Sequence, residues 1–165
     1  MEIKEITYED IEDVLEIYHQ GILTGCATFQ TEVPSVDEWD KAHLQIGRLK
    51  AIDDCGKMLG WIALSPTSSR CVYKGVAEVS IYIAENARKK GVGEKLIQAV
   101  VEETERNGIW TLQSGIFEIN EASIALHKKC GFRKIGYRER VAKDCYGIWR
   151  NVVLMEKRSE SPAFQ

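Results

Sequence analysis

What the chain lacks narrows its chemistry before any motif is considered. Its five cysteines, at 26, 55, 71, 130 and 145, are odd in number, scattered and nowhere spaced C-x-x-C, which argues against a disulfide framework and against a zinc site. No apolar run approaches the length of a membrane span, and the acidic start MEIKEITYED has neither a signal-peptide core nor an Arg-rich transit helix. Basic charge is not in excess: 22 Lys and Arg stand against 25 Asp and Glu, a net charge of −3 that leaves no extended footprint for nucleic acid. Linkers and internal repeats are missing as well. A reduced cytoplasmic setting, no metal, no membrane, and one domain carrying both fold and function follow as expectations for 165 residues.

What is there concentrates between Ala77 and Val101. A strand-like AEVSIYIAEN passes directly into the basic glycine turn RKKGVG and then into the helix-like EKLIQAVV. Glycines in such a turn let the backbone approach an anion, and the first N–H groups of the helix point at it with the positive end of the dipole. Arg88, Lys89 and Lys90 add charge where phosphates would sit. The spacing Arg88-x-x-Gly91-x-Gly93 is neither the Rossmann G-x-G-x-x-G nor the P-loop, since no Gly-Lys-Ser/Thr follows. Leu96, Ile97, Val100 and Val101 recur at core spacing, so the segment reads as strand, anion cradle and amphipathic helix. The plainer alternative is a strand, a turn and a helix with solvated basic residues.

The remainder reads as alternating strands and helices. Glu2 to Ile6 predicts a strand, and Thr7-x-x-Asp10 caps a helix bearing Ile11, Val14, Leu15, Ile17 and Tyr18. After a loop from Gly21 to Pro34, Ser35-x-x-Glu38 caps a second helix carrying Trp39, Ala42 and Leu44. Leu49 to Asp53 and Met58 to Leu64 form a hairpin across Asp54-Cys55-Gly56-Lys57, and a polar loop from Ser65 to Gly75 leads into the strand Val76 to Ala84. The helix after the glycine turn ends near Asn107-Gly108. A strand over Trp110 to Phe117, a short helix over Asn120 to Cys130, and two strands over Phe132 to Val141 and Gly147 to Glu156 complete the order. The domain is expected to span residues 1–158, with a disordered tail over 159–165. The order β, α, α, three strands, α, β, α, β, β is that of an α/β fold with a mixed central sheet flanked by helices.

The cradle resembles the acyl-CoA signature of GCN5-related N-acetyltransferases, and the element order is similar to that fold over nearly the whole chain. The likeness extends to the phosphinothricin N-acetyltransferase branch through Phe29-x-Thr31-Glu32 with Trp39 downstream, Ala77-Glu78-Val79-Ser80-Ile81-Tyr82-Ile83, Asn120-Glu121-Ala122-Ser123, Leu126-His127-Lys128-Lys129-Cys130-Gly131-Phe132, and Gly147-x-Trp149. The resemblance implies a single-domain acyl-CoA N-acyltransferase with acetyl-CoA as cosubstrate, a small amino-acid-like acceptor, and direct attack in a ternary complex. Dimers are common in the family, so a homodimer is implied too.

By that resemblance, backbone groups of Ile81, Tyr82 and Ile83 meet the pantetheine and the acetyl carbonyl, with Ile81 or a neighbour as oxyanion donor, while Arg88, Lys89, Lys90, Gly91, Val92, Gly93 and Glu94 hold the pyrophosphate. Glu78 matches the proposed general base. Strand alternation puts it on one face with Ser80 and Tyr82, and its plainer reading is a solvent-facing residue paired with a lysine. Asn120 and Ser123 open the later helix, where Asn120 either caps the helix or contacts the pantetheine arm. His127 stands where many acetyltransferases have a Tyr acting as acid toward the leaving thiolate, and is otherwise a helix histidine buried against the core. Tyr146, a further catalytic candidate, stands where the phosphinothricin enzyme has a His. Arg70, Cys71, Val72 and Tyr73, with Phe29 and Thr31, correspond to the amino-acid pocket, with Glu78 facing it; Arg70 suits a carboxylate or phosphinate, although a loop arginine is by default solvated. Ser68 replaces a lysine of the phosphinothricin enzyme, and Asn151 an aspartate. Two rivals remain: acetylation of protein N-termini or lysines, and a non-catalytic acyl-CoA-binding module.

Overall fold

A computed structural model describes residues 1–165. Seven strands form one mixed sheet: β1 (Glu2–Glu5), β2 (Leu49–Ile52), β3 (Met58–Pro66), β4 (Val76–Ile83), β5 (Thr111–Phe117), β6 (Arg133–Lys143) and β7 (Trp149–Arg158), in the spatial order β1-β2-β3-β4-β5-β7-β6. Four helices accompany it: α1 (Ile11–Leu23), α2 (Val36–Ala42), α3 (Val92–Arg106) and α4 (Glu121–Lys129). The element order is the one the sequence implies. No helix is long and apolar enough to cross a membrane.

The strand β3 lies inside the sheet, and its Trp61, Ile62, Ala63 and Leu64 are all buried. Alternation sends these side chains to opposite faces. Trp61 faces α1 and donates its indole N–H to the Val14 carbonyl at 3.0 Å. Leu64 faces α3, where it packs beside Gly47 and Val100. Each helix answers with a stripe of matching period: Ile11, Val14 and Ile17 on α1, Val92, Leu96, Ile97 and Val100 on α3, all buried.

Three differences from the sequence reading have local causes. The helix α2 stops at Ala42, because His43 takes an extended conformation and Leu44 donates its N–H to the Leu64 carbonyl at 2.7 Å, so Leu44 belongs to the sheet side. The final two strands begin and end later than expected, reaching Lys143 and Arg158. The tail expected to be disordered instead folds back. Ser159 donates its N–H to the Trp110 carbonyl at 2.7 Å, residues Pro162–Phe164 form a 3₁₀ turn, and the Phe164 ring sits 6.0 Å from that of Trp110.

An ion pair ties the start of α1 to the sheet. Asp10 accepts from the Thr7 N–H at 2.8 Å and from the Thr7 hydroxyl at 3.0 Å, and it pairs with Lys50 of β2. Burial opposes its charge, but Lys50 and Thr7 outweigh that and hold the carboxyl below the usual aspartate range. A depressed folded-state value stabilises fully above the unfolded value near ~3.9 and is lost as pH falls through the folded value. Asp10→Asn is therefore expected to flatten the acid limb of unfolding free energy against pH below about pH 4. Chemical denaturation at a series of pH values measures it, and identical acid limbs would show that the pair carries no such linkage.

Candidate active site

Parallel pairing between β4 and β5 covers only Val76–Thr111, Ala77–Leu112 and Glu78–Gln113. Beyond that point β4 continues to Ile83 and β5 to Phe117 without pairing each other, so the sheet opens like a V. On its other side β4 stays paired with β3 as far as Ile83. The Ala84 N–H goes to the Leu59 carbonyl at 2.9 Å, and antiparallel alternation then turns the backbone groups of Glu78, Ser80 and Tyr82 toward β3. Those of Val79, Ile81 and Ile83 turn into the gap, and Ile83 offers its carbonyl to the Arg88 Nε at 3.4 Å. Of the three backbone positions named from the sequence, Ile81 and Ile83 face the opening. Tyr82 does not; its ring packs 4.9 Å from Tyr18 and 5.1 Å from Trp61, and its hydroxyl reaches the Ala27 carbonyl at 3.4 Å.

The V leads down to the glycine turn. Lys89 and Gly91 hold φ of 60° and 79°, the left-handed region that favours glycine, and Gly91 caps α3 without a side chain. The first bond of the helix runs from the Lys95 N–H to the Gly91 carbonyl, so the N–H groups of Val92, Gly93 and Glu94 have no partner in the protein. Arg88, Lys89 and Lys90 are exposed around them. The set fits a pyrophosphate: three free donors, a dipole end and three cations. Gly93 is constrained differently, since a Cβ there would lie 2.7 Å from the Leu126 side chain of α4. Glu94, expected in the cradle, directs its carboxylate to Lys129 at 2.6 Å.

Above the cradle lies a cavity of about 960 Å³, bounded by the splayed strands, α4, the loop between α1 and α2, and β6 and β7. It brings together Phe29, Glu78, Ile81, Tyr82, Asn120, Ser123 and His127 from the sequence-predicted set. Glu78 is exposed at the last β4–β5 pair, on the face shared with Ser80 and Tyr82. Phe29 packs its ring 4.2 Å from Phe117. Asn120 caps α4, its Oδ1 accepting from the Ser123 N–H at 3.2 Å. No group of three or more His, Cys, Asp or Glu side chains is close enough to hold a metal.

Other expected residues lie elsewhere. Arg70 precedes an exposed 3₁₀ turn of Cys71–Tyr73, and none of these four lines the cavity; Thr31 is exposed beside it. Tyr146 sits exposed in the turn before β7, its ring against Gly25, outside the cavity lining. One lining cation was not visible in the sequence: Arg138 of β6, whose guanidinium makes no hydrogen bond or ion pair in the protein. The lining otherwise carries the carboxylates Glu32, Glu38 and Glu78. Arg138 sits on an edge strand with no periodic burial, which is why pattern reading passed over it.

His127 is almost fully buried, with its ring edge-on to Phe132 at 4.9 Å. Its Nδ1 lies 2.7 Å from the Ser123 carbonyl, which only accepts, so Nδ1 carries the proton; Nε2, 3.0 Å from the Ser114 hydroxyl, is then the acceptor. In this arrangement the one N–H of the neutral ring goes to the Ser123 carbonyl, so His127 bridges α4 to β5 and has no N–H free for the expected acid role.

Comparison with known proteins agrees with this geometry. The sequence profile of the acetyltransferase (GNAT) family matches residues 9–132. The phosphinothricin N-acetyltransferase of Alcaligenes faecalis is 32% identical over 163 residues, 94% of this chain and 81% of that protein. The L-methionine sulfoximine/L-methionine sulfone acetyltransferase of Pseudomonas paraeruginosa is 26% identical over 159 residues, 93% of this chain and 92% of that one. In structure, the phosphinothricin acetyltransferase of Sinorhizobium meliloti, solved with acetyl-CoA, superposes with a TM-score of 0.88 at 27% identity, covering 99% of this chain and 91% of that one.

Burial pushes the His127 imidazole below the ordinary histidine value, against the opposing pull of the Ser123 carbonyl. The folded state thus takes up its proton at lower pH than the unfolded chain, and stability contributed by this group falls as pH drops below about 6.5. Imidazole ¹⁵N shifts are expected to report the Nδ1–H tautomer and no titration near pH 6.5. The opposite tautomer, or an ordinary titration midpoint, would contradict the assignment.

Proposed function

The chain belongs to the acetyltransferase (GNAT) family and is an acetyl-CoA-dependent N-acetyltransferase, and we propose that its acceptor is the α-amine of a small amino acid or analogue of the phosphinothricin or methionine sulfoximine type. The observation that carries this reading is the V between β4 and β5, with the anion cradle at one end and Glu78 and a cavity at the other. A pyrophosphate on the N–H groups of Val92, Gly93 and Glu94, with Arg88, Lys89 and Lys90 around it, leaves the pantetheine to enter the gap beside Ile81 and Ile83 as an added strand would. The thioester then lies near Glu78.

A thioester is already activated, so the protein has three tasks: to supply a neutral amine, to place it, and to stabilise the oxyanion. Glu78 takes a proton from the ammonium, directly or through water. The amine nitrogen attacks the acetyl carbonyl while the Ile81 N–H donates to the oxyanion, and collapse breaks the C–S bond; the second proton, left on the tetrahedral nitrogen, passes to water or to the departing CoA thiolate, giving the N-acetyl product and CoA. A thiol pKa near ~8.5 lets that thiolate leave without a dedicated acid, consistent with His127 holding no free proton. Arg138, the one unpaired cation of the cavity, suits the carboxylate of the acceptor. Arg70 and Tyr73 remain candidates for the same anion only if their loop moves toward the cavity. The same proposal has the enzyme working in the cytoplasm as a homodimer, a state favoured by exposed Ile135, Tyr137, Ile148 and Trp149 on the β6–β7 hairpin.

Three substitutions test the reading. Gly91→Glu is expected to abolish acetyl-CoA binding in calorimetry, because a side chain at φ 79° is strained and its carboxylate would repel the pyrophosphate; the Cβ itself meets nothing within 4 Å, so a steric clash is not the cause. Unchanged affinity would remove the cradle assignment. In steady-state assays of CoA release, Glu78→Gln should lower kcat by roughly 10²–10⁴-fold with partial recovery at high pH, whereas Arg138→Ala should raise KM for the amino acid and leave KM for acetyl-CoA alone. Efficient acetylation of peptides with neither analogue accepted would favour the protein-modifying rival, and acetyl-CoA binding with no acetyl transfer to any amine would favour the binding module.

A further inference from the structure

Ile135, Arg138 and Val141 of the edge strand β6 line the cavity, and they recur at every third position. A regular strand repeats at every second one, so an undistorted β6 could not hold all three on one face. Its pairing with β7 is broken twice, between Lys134 and Gly136 and between Arg138 and Ala142. At the second break Arg138 still pairs with Val152 and Ala142 with Arg150, which leaves Glu139, Arg140 and Val141 opposite Asn151 alone. The register also fixes the face of Arg138. It stands across from Val152, which alternation along β7 places on the same side as Leu154, and both belong to the cavity lining.

The bulge is held from behind. Arg140, at its middle, has a φ of 45°, in the left-handed region that a residue other than glycine adopts only under constraint. Its N–H donates to Asn151 Oδ1 at 2.9 Å, so a side chain supplies the acceptor that the broken ladder does not. The other end of the same amide is engaged too: Asn151 Nδ2 donates to Glu118 Oε2 at 2.9 Å, and the Tyr137 hydroxyl donates to that oxygen at 2.9 Å. Glu118, just past the end of β5, is fixed by its own N–H, which goes to the Asn151 carbonyl at 3.0 Å. The bonds from Asn151 and Tyr137 keep the Glu118 carboxyl below the usual glutamate range, so it serves as an acceptor. Alternation places Tyr137 and Asn151 on the face opposite Arg138 and Val152, and none of Glu118, Tyr137 and Asn151 lines the cavity.

We propose that Asn151 is a positioning residue for acceptor binding: braced by Glu118, it holds the bulge that keeps Arg138 on the cavity face, where the guanidinium meets the acceptor's carboxylate. The proposal rests on the role given to Arg138 above. Without the brace β6 can relax by a one-residue slip, and such a slip sends Arg138 to the opposite face. The position calls for an amide, which accepts from the Arg140 N–H and donates to Glu118 at once. A carboxylate does only the first.

The test is a double-mutant cycle of Asn151→Asp with Arg138→Ala, read as KM for L-methionine sulfoximine and for acetyl-CoA. Aspartate keeps the shape of the side chain and its acceptor toward Arg140 but sets a second carboxylate against Glu118. Arg138→Ala is expected to raise KM for the amino acid roughly tenfold. Asn151→Asp should raise it roughly fivefold, leave kcat and KM for acetyl-CoA unchanged, and add nothing once residue 138 is alanine. Adding Glu118→Gln to Asn151→Asp gives the pair a donor again and should bring KM back to within about twofold of the wild type. Glu118→Ala, which withdraws the brace and leaves the Arg140 bond, passes through the same cycle with the same expectation should Asn151→Asp not fold. A KM rise of equal size with and without Arg138, or no rise where Arg138→Ala gives one, would overturn this inference alone. A wild-type KM in Arg138→Ala, or no acetylation of the amino acid by an enzyme that binds acetyl-CoA normally, would overturn it together with the acceptor assignment.

Discussion

Everything at this site depends on the parting of β4 from β5 after Glu78 and Gln113. A paired sheet would satisfy the backbone groups of Val79, Ile81 and Ile83 internally. Because the pairing ends early, those groups stay available without any side chain being spent on them, and a ligand that completes the ladder gains register as well as affinity. The proposed base Glu78 and oxyanion donor Ile81 are then spaced along one strand by its ~3.3 Å rise, and the cradle follows a short turn beyond that strand's end.

Charge is distributed to match. The cations sit at the mouth, on Arg88, Lys89 and Lys90, while the cavity is edged by Glu32, Glu38 and Glu78 with only Arg138 opposed. Under the proposed function this arrangement suits a polyanionic donor at one end and an ammonium-bearing acceptor at the other. Burial lowers the proton affinity of both lining histidines, His43 and His127.

Local patterning made most of the fold legible. Strand, turn and helix around Arg88–Gly93 carry their chemistry in consecutive residues, and so do the caps at Ser35 and Asn120. What was not legible depends on residues far apart in the chain. Arg138 reaches the cavity only because β6 lies outside β7, and an exposed edge strand leaves no burial period to read. Arg70 and Tyr146 were named through resemblance, and the structure leaves both side chains outside the cavity lining.

The closed end of the V is finished by an aromatic wedge. The Gly75 carbonyl receives the N–H groups of Trp110 and Thr111 at 2.8 and 3.1 Å, and any Cβ on Gly75 would stand 2.1 Å from the Trp110 ring, against which Phe164 packs on returning from β7. Two strands pinned so tightly at their origin have little freedom to scissor. The crevice therefore holds its width before any ligand arrives, and the conformational entropy that a floppy crevice would surrender on binding has already been lost in folding.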